Sequence, residues 1–385
     1  MYSPNRTLPY SRQLIEEDDI RAVIEVLKSD FLTQGPKIPE FEKALADYCG
    51  AKYAVAVATG TAALHAACFA AGLSSGEELV TSPITFAATS NAALYCGARP
   101  VFVDIEPETG NIDPSLIEAA ITEKTRILAP VDYSGHPVDL DPILEIARKR
   151  SLVVIEDASH ALGATYKGKK IGSLSDMTVL SFHPVKPITT GEGGAVLTNN
   201  EEYYKKLQLF RTHGITKDPD LLEEKDVGPW YYEMHQLGYN FRITDIQCAL
   251  GLSQLAKLER FIRERRAVVD FYREALAGIP EIEMTREKDY AFSPWHLFPI
   301  RLKGELAPRR REIFIRLREA GIWVQVHYIP VYLQPYYRKL GYPAGLCPKA
   351  EVFSQSEITL PVFQGMKREE TSYVIDRLID IVETK

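Results

Sequence analysis

The 385-residue chain lacks most of the features that mark membrane-bound, secreted or nucleic-acid-binding proteins. It has no apolar run of the roughly 18 residues needed to cross a bilayer. The opening MYSPNRTLPYSRQ has no apolar core of the kind a signal peptide carries. Cysteine is scarce: Cys49, Cys68, Cys96, Cys248 and Cys347 are five, scattered, and never in a CxxC. Such a set suits reduced thiols and a cytoplasmic location, most of them as small core residues. The eight histidines show no HxxxH or HExxH spacing, so no metal site is expected. There is no excess of positive charge either. With 45 basic against 52 acidic side chains the formal charge is −7, which argues against a nucleic-acid surface. Two basic clusters, RERR at 263–266 and RRR at 309–311, sit in mixed-charge, helix-like surroundings and are expected as solvated faces. Neither GxGxxG nor GxxxxGK[ST] occurs, which argues against a dinucleotide fold and a P-loop.

What is present is an alternation. Between about residues 50 and 200, short β-rich runs (YAVAVA, ELVTS, RPVFVDI, RILAPVDY, LVVIEDA, MTVLSFH, GAVLTNN) alternate with helical stretches such as TAALHAACFAAG and DPILEIARKR. Apolar, β-branched runs of this length read as strands buried on both faces, and strand–helix alternation implies a largely parallel sheet. The pattern predicts an α/β fold with a mostly parallel seven-stranded sheet flanked by helices. Only ten residues separate MTVLSFH from GAVLTNN, too few for a parallel crossover, so one antiparallel pairing is expected there. A long amphipathic helix is expected from Ile246 to about Leu276. Beyond it, strand-like SPWHLFPIRL and WVQVHYIPV mix with helical RREIFIRLREAG and REETSYVIDRLIDIVE. The expected division is a large domain over 1–254, including the N-terminal segment, and a small α+β domain over 255–385, the helix passing between them.

Three motifs stand at strand ends. ATGTAALHAA follows the first run and opens a helix, so the amides of Gly60 and Thr61 lie at a first turn that favours an anion. Thr59 and Thr61 add hydroxyls; Thr59 reads equally well as a helix cap. LVVIEDASHALGA ends a strand at Asp157, with His160 close behind, where ligands of open α/β sheets bind. Alone, Asp157 reads as a cap. SFHPVKP puts Lys186 at another strand end, its backbone restricted by Pro184 and Pro187. If these strands are neighbours, an anion cradle, a carboxylate and a constrained lysine face one crevice. Pyridoxal 5′-phosphate needs those three: donors for its phosphate, an acid for its pyridine nitrogen, and an amine for its aldehyde. A lysine held out of water also loses proton affinity and becomes nucleophilic.

The segments GTAALH, EDASHALGATYKGKKIGSLSD, SFHPVKPITTGEGGAVLTNN, RTHGI and LGYNFRITDIQCALG resemble the DegT/StrS-like sugar aminotransferases, and the resemblance runs from about residue 8 to 380. It implies a fold type I pyridoxal-phosphate enzyme. Position by position, it implies Lys186 as the Schiff-base lysine, Asp157 on the pyridine nitrogen, His160 packed against the ring, and Phe86 stacked on the ring face. It implies Thr59, Gly60, Thr61 and Ser181 around the phosphate, where the family often has Ser-Gly-Thr. Asn240 would reach the phosphate from a second subunit, hence a homodimer. Tyr10, the stretch Asp30, Phe31, Leu32 and Thr33, the stretch Gln325, Val326, His327 and Tyr328, and Tyr332 match segments that line the substrate cleft. Without the resemblance, Phe86 reads as core, Asn240 as a turn residue, and 325–328 as a half-buried strand. The implied substrates are L-glutamate and a UDP-linked 4-keto-6-deoxy-N-acetylhexosamine, with amination at C4. Rival readings are amination at C3 or of another nucleotide sugar, a deoxygenating relative, a non-catalytic pyridoxal-phosphate-binding regulator, and a sugar dehydrogenase. The deoxygenating relatives carry histidine in place of the lysine, and the dehydrogenase would need the missing glycine motif.

Overall fold

A computed structural model describes residues 7–384; residues 1–6 of the expected large domain and Lys385 lie outside the described residues. The seven β-rich runs form one sheet: β1 (Tyr53–Val57), β2 (Glu78–Thr81), β3 (Arg99–Phe102), β4 (Thr125–Ala129), β5 (Val153–Asp157), β6 (Met177–Ser181) and β7 (Gly194–Thr198). Its order is β1-β7-β6-β5-β4-β2-β3. β7 runs antiparallel to both neighbours, as its short connection to β6 demands, and the other pairings are parallel. Successive residues of one strand feed different cores. Val154 packs into the cluster on one face and Ile155 into the cluster on the other, which is why these strands read as continuous apolar runs rather than alternating ones. Helix α1 (Gly60–Ala70) follows β1 and α2 (Ala88–Tyr95) follows β2. All the parallel strands therefore deliver their carboxyl ends to one edge, and β7 begins there.

Two departures from expectation lie in the second half. The expected single helix is two, α3 (Asp245–Leu255) and α4 (Leu258–Leu276), broken at Ala256 and Lys257. Neither glycine nor proline signals the break. Lys257 turns its ammonium to Asp19, Asp18 and Glu16, at 2.7, 2.8 and 3.3 Å. The start of α4 packs Leu258, Phe261 and Ile262 into the large core, whereas Val268, Val269, Tyr272 and Leu276 enter a separate one. That second core is closed by an antiparallel sheet of β8 (Ile282–Met284), β9 (Phe298–Leu302) and β10 (Glu357–Leu360), and by helices Arg310–Glu319 and Arg368–Glu383. Leu8 joins it because Leu8–Pro9 pairs with Ile322–Trp323.

The expected strand WVQVHYIPV is the second departure. Only Ile322–Trp323 belongs to a ladder. Gln325 meets Thr359 in an isolated bridge, and the His327 amide donates to the Glu357 carboxylate (2.8 Å) instead of to a strand, so 325–329 leave the sheet. The basic cluster at 263–266 is also not wholly a solvated face: Arg265 is fully buried.

Glycine 194 shows how tightly the site edge is built. A Cβ there would lie 2.6 Å from the Thr59 carbonyl oxygen and 2.7 Å from the Gly60 nitrogen. Gly194→Ala is therefore expected to lower stability by about 1–3 kcal/mol, read as a reduced urea midpoint at unchanged slope.

Candidate active site

A crevice of about 760 Å³ opens at that edge, between the strand ends and residues 325–334. Thr59 caps α1, its hydroxyl oxygen accepting from the Ala62 amide at 3.0 Å. The cap leaves the amides of Gly60 and Thr61 without an acceptor among the described residues, and both residues line the crevice. Ser181 stands beside them; a Cβ on Gly60 would come within 2.9 Å of the Ser181 Cβ, so only glycine lets α1 start this close to β6. The expected cradle of Thr59, Gly60, Thr61 and Ser181 is thus assembled from two strand ends.

Asp157 ends β5, almost fully buried. Thr89 Oγ1 donates to its Oδ2 at 2.6 Å, while the Ser159 amide and hydroxyl donate to Oδ1 at 3.2 and 2.6 Å. A carboxylate holding three donors is fixed in direction. Lys186 lies in the connection between β6 and β7, and its amine makes no hydrogen bond or ion pair with a described residue. Desolvation pulls its pKa down to about 8, against the opposing attraction of Asp157.

Three histidines surround this pair, and burial holds all of them neutral by pulling their pKa values down. His160 packs its ring 4.4 Å from that of His296, and its Nδ1 has no hydrogen-bond partner among the described residues. The Tyr328 hydroxyl lies 3.4 Å from His160 Nε2. His327 is held by Thr359 Oγ1 at 2.8 Å, and its ring lies tilted against that of Tyr10, 4.8 Å between centroids. Phe86 is not core: it is 63% exposed at the crevice wall, its ring 6.4 Å from Tyr328.

Not every expected residue is in this crevice. Gln325, Val326, His327, Tyr328 and Tyr10 line it. Tyr332 does not; it is fully buried in an aromatic cluster, its hydroxyl donating to Glu351 at 2.6 Å, because that deep site offers a carboxylate partner. The stretch Asp30, Phe31, Leu32 and Thr33 is on the surface, tied down where Leu32 accepts from the Asp245 amide and Thr33 bridges Thr244. Asn240 is exposed, bridged to Thr212, and away from the crevice of its own chain. The sequence did not point to Thr89, Ser159 or His296, nor to Glu192, which also lines the crevice. The Asp-x-Ser of EDAS was a legible turn signal for Ser159. Thr89 sits inside a helix and carried none.

Behind Asp157 lies an unexpected acid pair. Glu156 points to the other face of β5, where Ser175 and Thr178 donate to its Oε2, both at 3.1 Å. Asp132 accepts from the Val138 amide at 3.0 Å, and its own amide donates to the Asp157 carbonyl at 3.1 Å. The remaining oxygens, Asp132 Oδ2 and Glu156 Oε1, have no other donor. Burial pushes both carboxyls upward, and Asp132 is raised further by the charge of Glu156, which a single shared proton relieves.

The donor set fits pyridoxal phosphate. Free first-turn amides with hydroxyls suit a phosphate, an oriented buried carboxylate suits a pyridinium, and an unpartnered desolvated amine suits an aldehyde. A family model described as the DegT/DnrJ/EryC1/StrS aminotransferase family matches residues 13–379. A Campylobacter jejuni protein named UDP-4-amino-4,6-dideoxy-N-acetyl-beta-L-altrosamine transaminase is 42% identical over 380 residues, 98% of each chain. The Helicobacter pylori PseC structure, an aminotransferase of pseudoaminic acid biosynthesis, superposes with a TM-score of 0.93 at 35% identity, covering 99% of this chain and 100% of its own. The putative sugar aminotransferase Spr1654 of Streptococcus pneumoniae, solved in its PLP-form, gives 0.92 at 34% identity, over 98% and 99%.

Two outcomes follow. Capture of pyridoxal phosphate by the cofactor-free chain should quicken with rising pH through a midpoint of about 8, and vanish in Lys186→Arg, followed by visible absorbance. For the acid pair, folding raises the proton affinity. It therefore stabilises the native state most at low pH, and that contribution is lost as pH climbs out of the ordinary carboxylate range. Glu156→Gln should gain melting temperature relative to the parent as pH goes from about 5 to about 8.

Proposed function

The chain belongs to the DegT/DnrJ/EryC1/StrS aminotransferase family, and we propose that it moves the amino group of L-glutamate to the C4 keto carbon of a UDP-linked 4-keto-6-deoxy-N-acetylhexosamine. It is a pyridoxal-phosphate-dependent sugar aminotransferase. Among the described residues no helix is long and apolar enough to cross a membrane. The observation that carries the reading is Lys186, an amine without a partner, desolvated at the same strand edge as a three-donor carboxylate.

Bound pyridoxal phosphate supplies an electron sink for the carbon that loses or gains a proton. The chain supplies the rest. Thr59, Gly60, Thr61 and Ser181 hold the phosphate. Asp157, locked by Thr89 and Ser159, keeps the ring nitrogen protonated. Phe86 and His160 fix the ring plane. Lys186, its pKa drawn down to about 8, would take the proton that leaves glutamate Cα in one half-reaction and deliver the proton that sugar C4 gains in the other; a positioned transfer of this kind contributes roughly 10²–10⁴-fold. The neutral His160, His296 and His327 leave that amine without competing cations.

On the sugar side, Tyr10 and residues 325–328 come from the segments joined to the second core, so the crevice divides substrate from cofactor between a large unit ending near residue 254 and a small one. Residues 30–33 and Asn240 lie outside their own crevice and are read as contributions to that of a second subunit in a homodimer. Trp230, Met234 and Leu237, exposed by 71, 65 and 74%, give the neighbouring surface the apolar character of a subunit contact. The altrosamine transaminase and PseC relatives support the substrate named here.

Incubation with L-glutamate and a panel of UDP-4-keto sugars should yield 2-oxoglutarate and a product carrying new nitrogen at C4, assigned by NMR. Nitrogen at C3, or no turnover of any UDP sugar, would reject the proposal. Asp157→Asn should lower kcat at least about 10²-fold.

A further inference from the structure

Arg265 occupies a place that the reaction, as described, does not explain. It is fully buried in α4 and has no carboxylate at ion-pair distance among the described residues. A buried guanidinium without a counter-ion is costly, and desolvation draws even its pKa down to about 9. Every contact it makes is to a neutral oxygen. Nε donates to Gln364 Oε1 at 2.9 Å, and one terminal nitrogen reaches the carbonyls of Val362, His296 and Trp295 at 3.0, 3.3 and 3.4 Å. The other reaches Ser11 Oγ at 3.3 Å and the Val185 carbonyl at 3.4 Å. Ser11 donates to that same carbonyl at 2.9 Å. Val185 precedes Lys186, Ser11 follows the crevice residue Tyr10, and the Val362 amide donates to the Tyr10 carbonyl at 2.9 Å.

We propose that Arg265 is a positioning residue: with Ser11 it clamps the Val185 carbonyl, and so fixes where the Lys186 amine stands in the crevice. Five planar donors in a rigid fork can span the lysine loop, the N-terminal segment and the C-terminal turn at once, which a lysine cannot. The clamp makes the reactivity of an amine carried by the large unit depend on the small one. The inference rests on reading Lys186 as the reactive amine. The titratable groups around that amine are Asp157 and the histidines 160, 183, 296 and 327. Glu192, Tyr10 and Tyr328 also line the crevice, and of all these only His296 is touched by the substitutions below, through its carbonyl and the nearby Arg265 charge.

The test titrates Lys186 itself. Cofactor-free full-length protein is pulsed with acetic anhydride across a pH series, and acetylation of Lys186 is quantified by peptide mass spectrometry. The parent midpoint is expected at about 8. With the clamp loosened, the amine reaches water and its midpoint rises. Arg265→Lys and Arg265→Met should each raise it by about one pH unit or more, a roughly tenfold slower labelling at pH 7. Ser11→Ala should move it the same way by less. Arg266→Ala, on the same helix but paired with Glu287 at 2.7 Å, controls for stability alone: it should lower the melting temperature and leave the midpoint in place. A midpoint unmoved in folded Arg265 variants, or moved equally by Arg266→Ala, overturns the proposal. If the Arg265 variants do not fold, Ser11→Ala decides, and an unmoved midpoint there overturns it. Borohydride reduction of the pyridoxal-phosphate-loaded parent tests the underlying reading separately, since label on any residue but Lys186 would refute that reading and not the clamp.

Discussion

The structure turns on a half-buried amine that has lost much of its hydration. In solvent a lysine is cationic at neutral pH, and burying it without a partner is unfavourable. Here the crevice strips hydration from Lys186 while Asp157 supplies enough attraction to keep the pKa at about 8 rather than lower. Both contributions need the sheet. Only strands that run the same way bring Asp157, Ser181 and the Thr59 cap to a single edge, and only a sheet covered on both faces is dry enough there. The neutral histidines follow from the same dryness, since burial that disfavours one cation disfavours all of them.

Much of this was legible in the sequence. The seven strands, the reversed one and the strand-end motifs could be read because apolar runs, turn residues and connection length each have a direct physical cause. Thr59, Gly60, Thr61, Ser181, Asp157, His160 and Lys186 line one crevice, as neighbouring strand ends require. What the sequence concealed was partnership across long separations. Tyr332 looked like a cleft aromatic until the structure gave its hydroxyl Glu351. RERR looked like a solvated stripe, yet one of its arginines is enclosed by four carbonyls from three distant segments. The break between α3 and α4 carries no helix-breaking residue, and depends on three acids that lie more than 200 positions away. The stretch 325–329 has the alternation of a strand, but its amides turn to side chains instead of a ladder.

The acid pair behind Asp157 has a similar origin. Glu156 and Asp157 are consecutive, so the pleat of β5 must send them to opposite faces. One serves the crevice and the other is buried beneath it. Glu156 is tolerated because Ser175, Thr178 and Asp132 converge there, and the Asp132 amide returns to the Asp157 carbonyl. The cost of a hidden acid is thus coupled to the backbone that aims the visible one.

The reversal of β7 has a further consequence. Because β6 leaves the sheet and β7 re-enters it at the same edge, Lys186 sits on a loop tied at both ends. Ser181 pairs with Gly194, the Phe182 amide donates to Gly193, and Thr190 returns to the Phe182 carbonyl. A parallel strand would have required a connection that first crosses back to the opposite edge of the sheet, with the lysine adrift on it. A short double-anchored loop has little conformational entropy left to surrender when its side chain engages a ligand, so most of that ordering is completed when the chain folds rather than in each catalytic cycle.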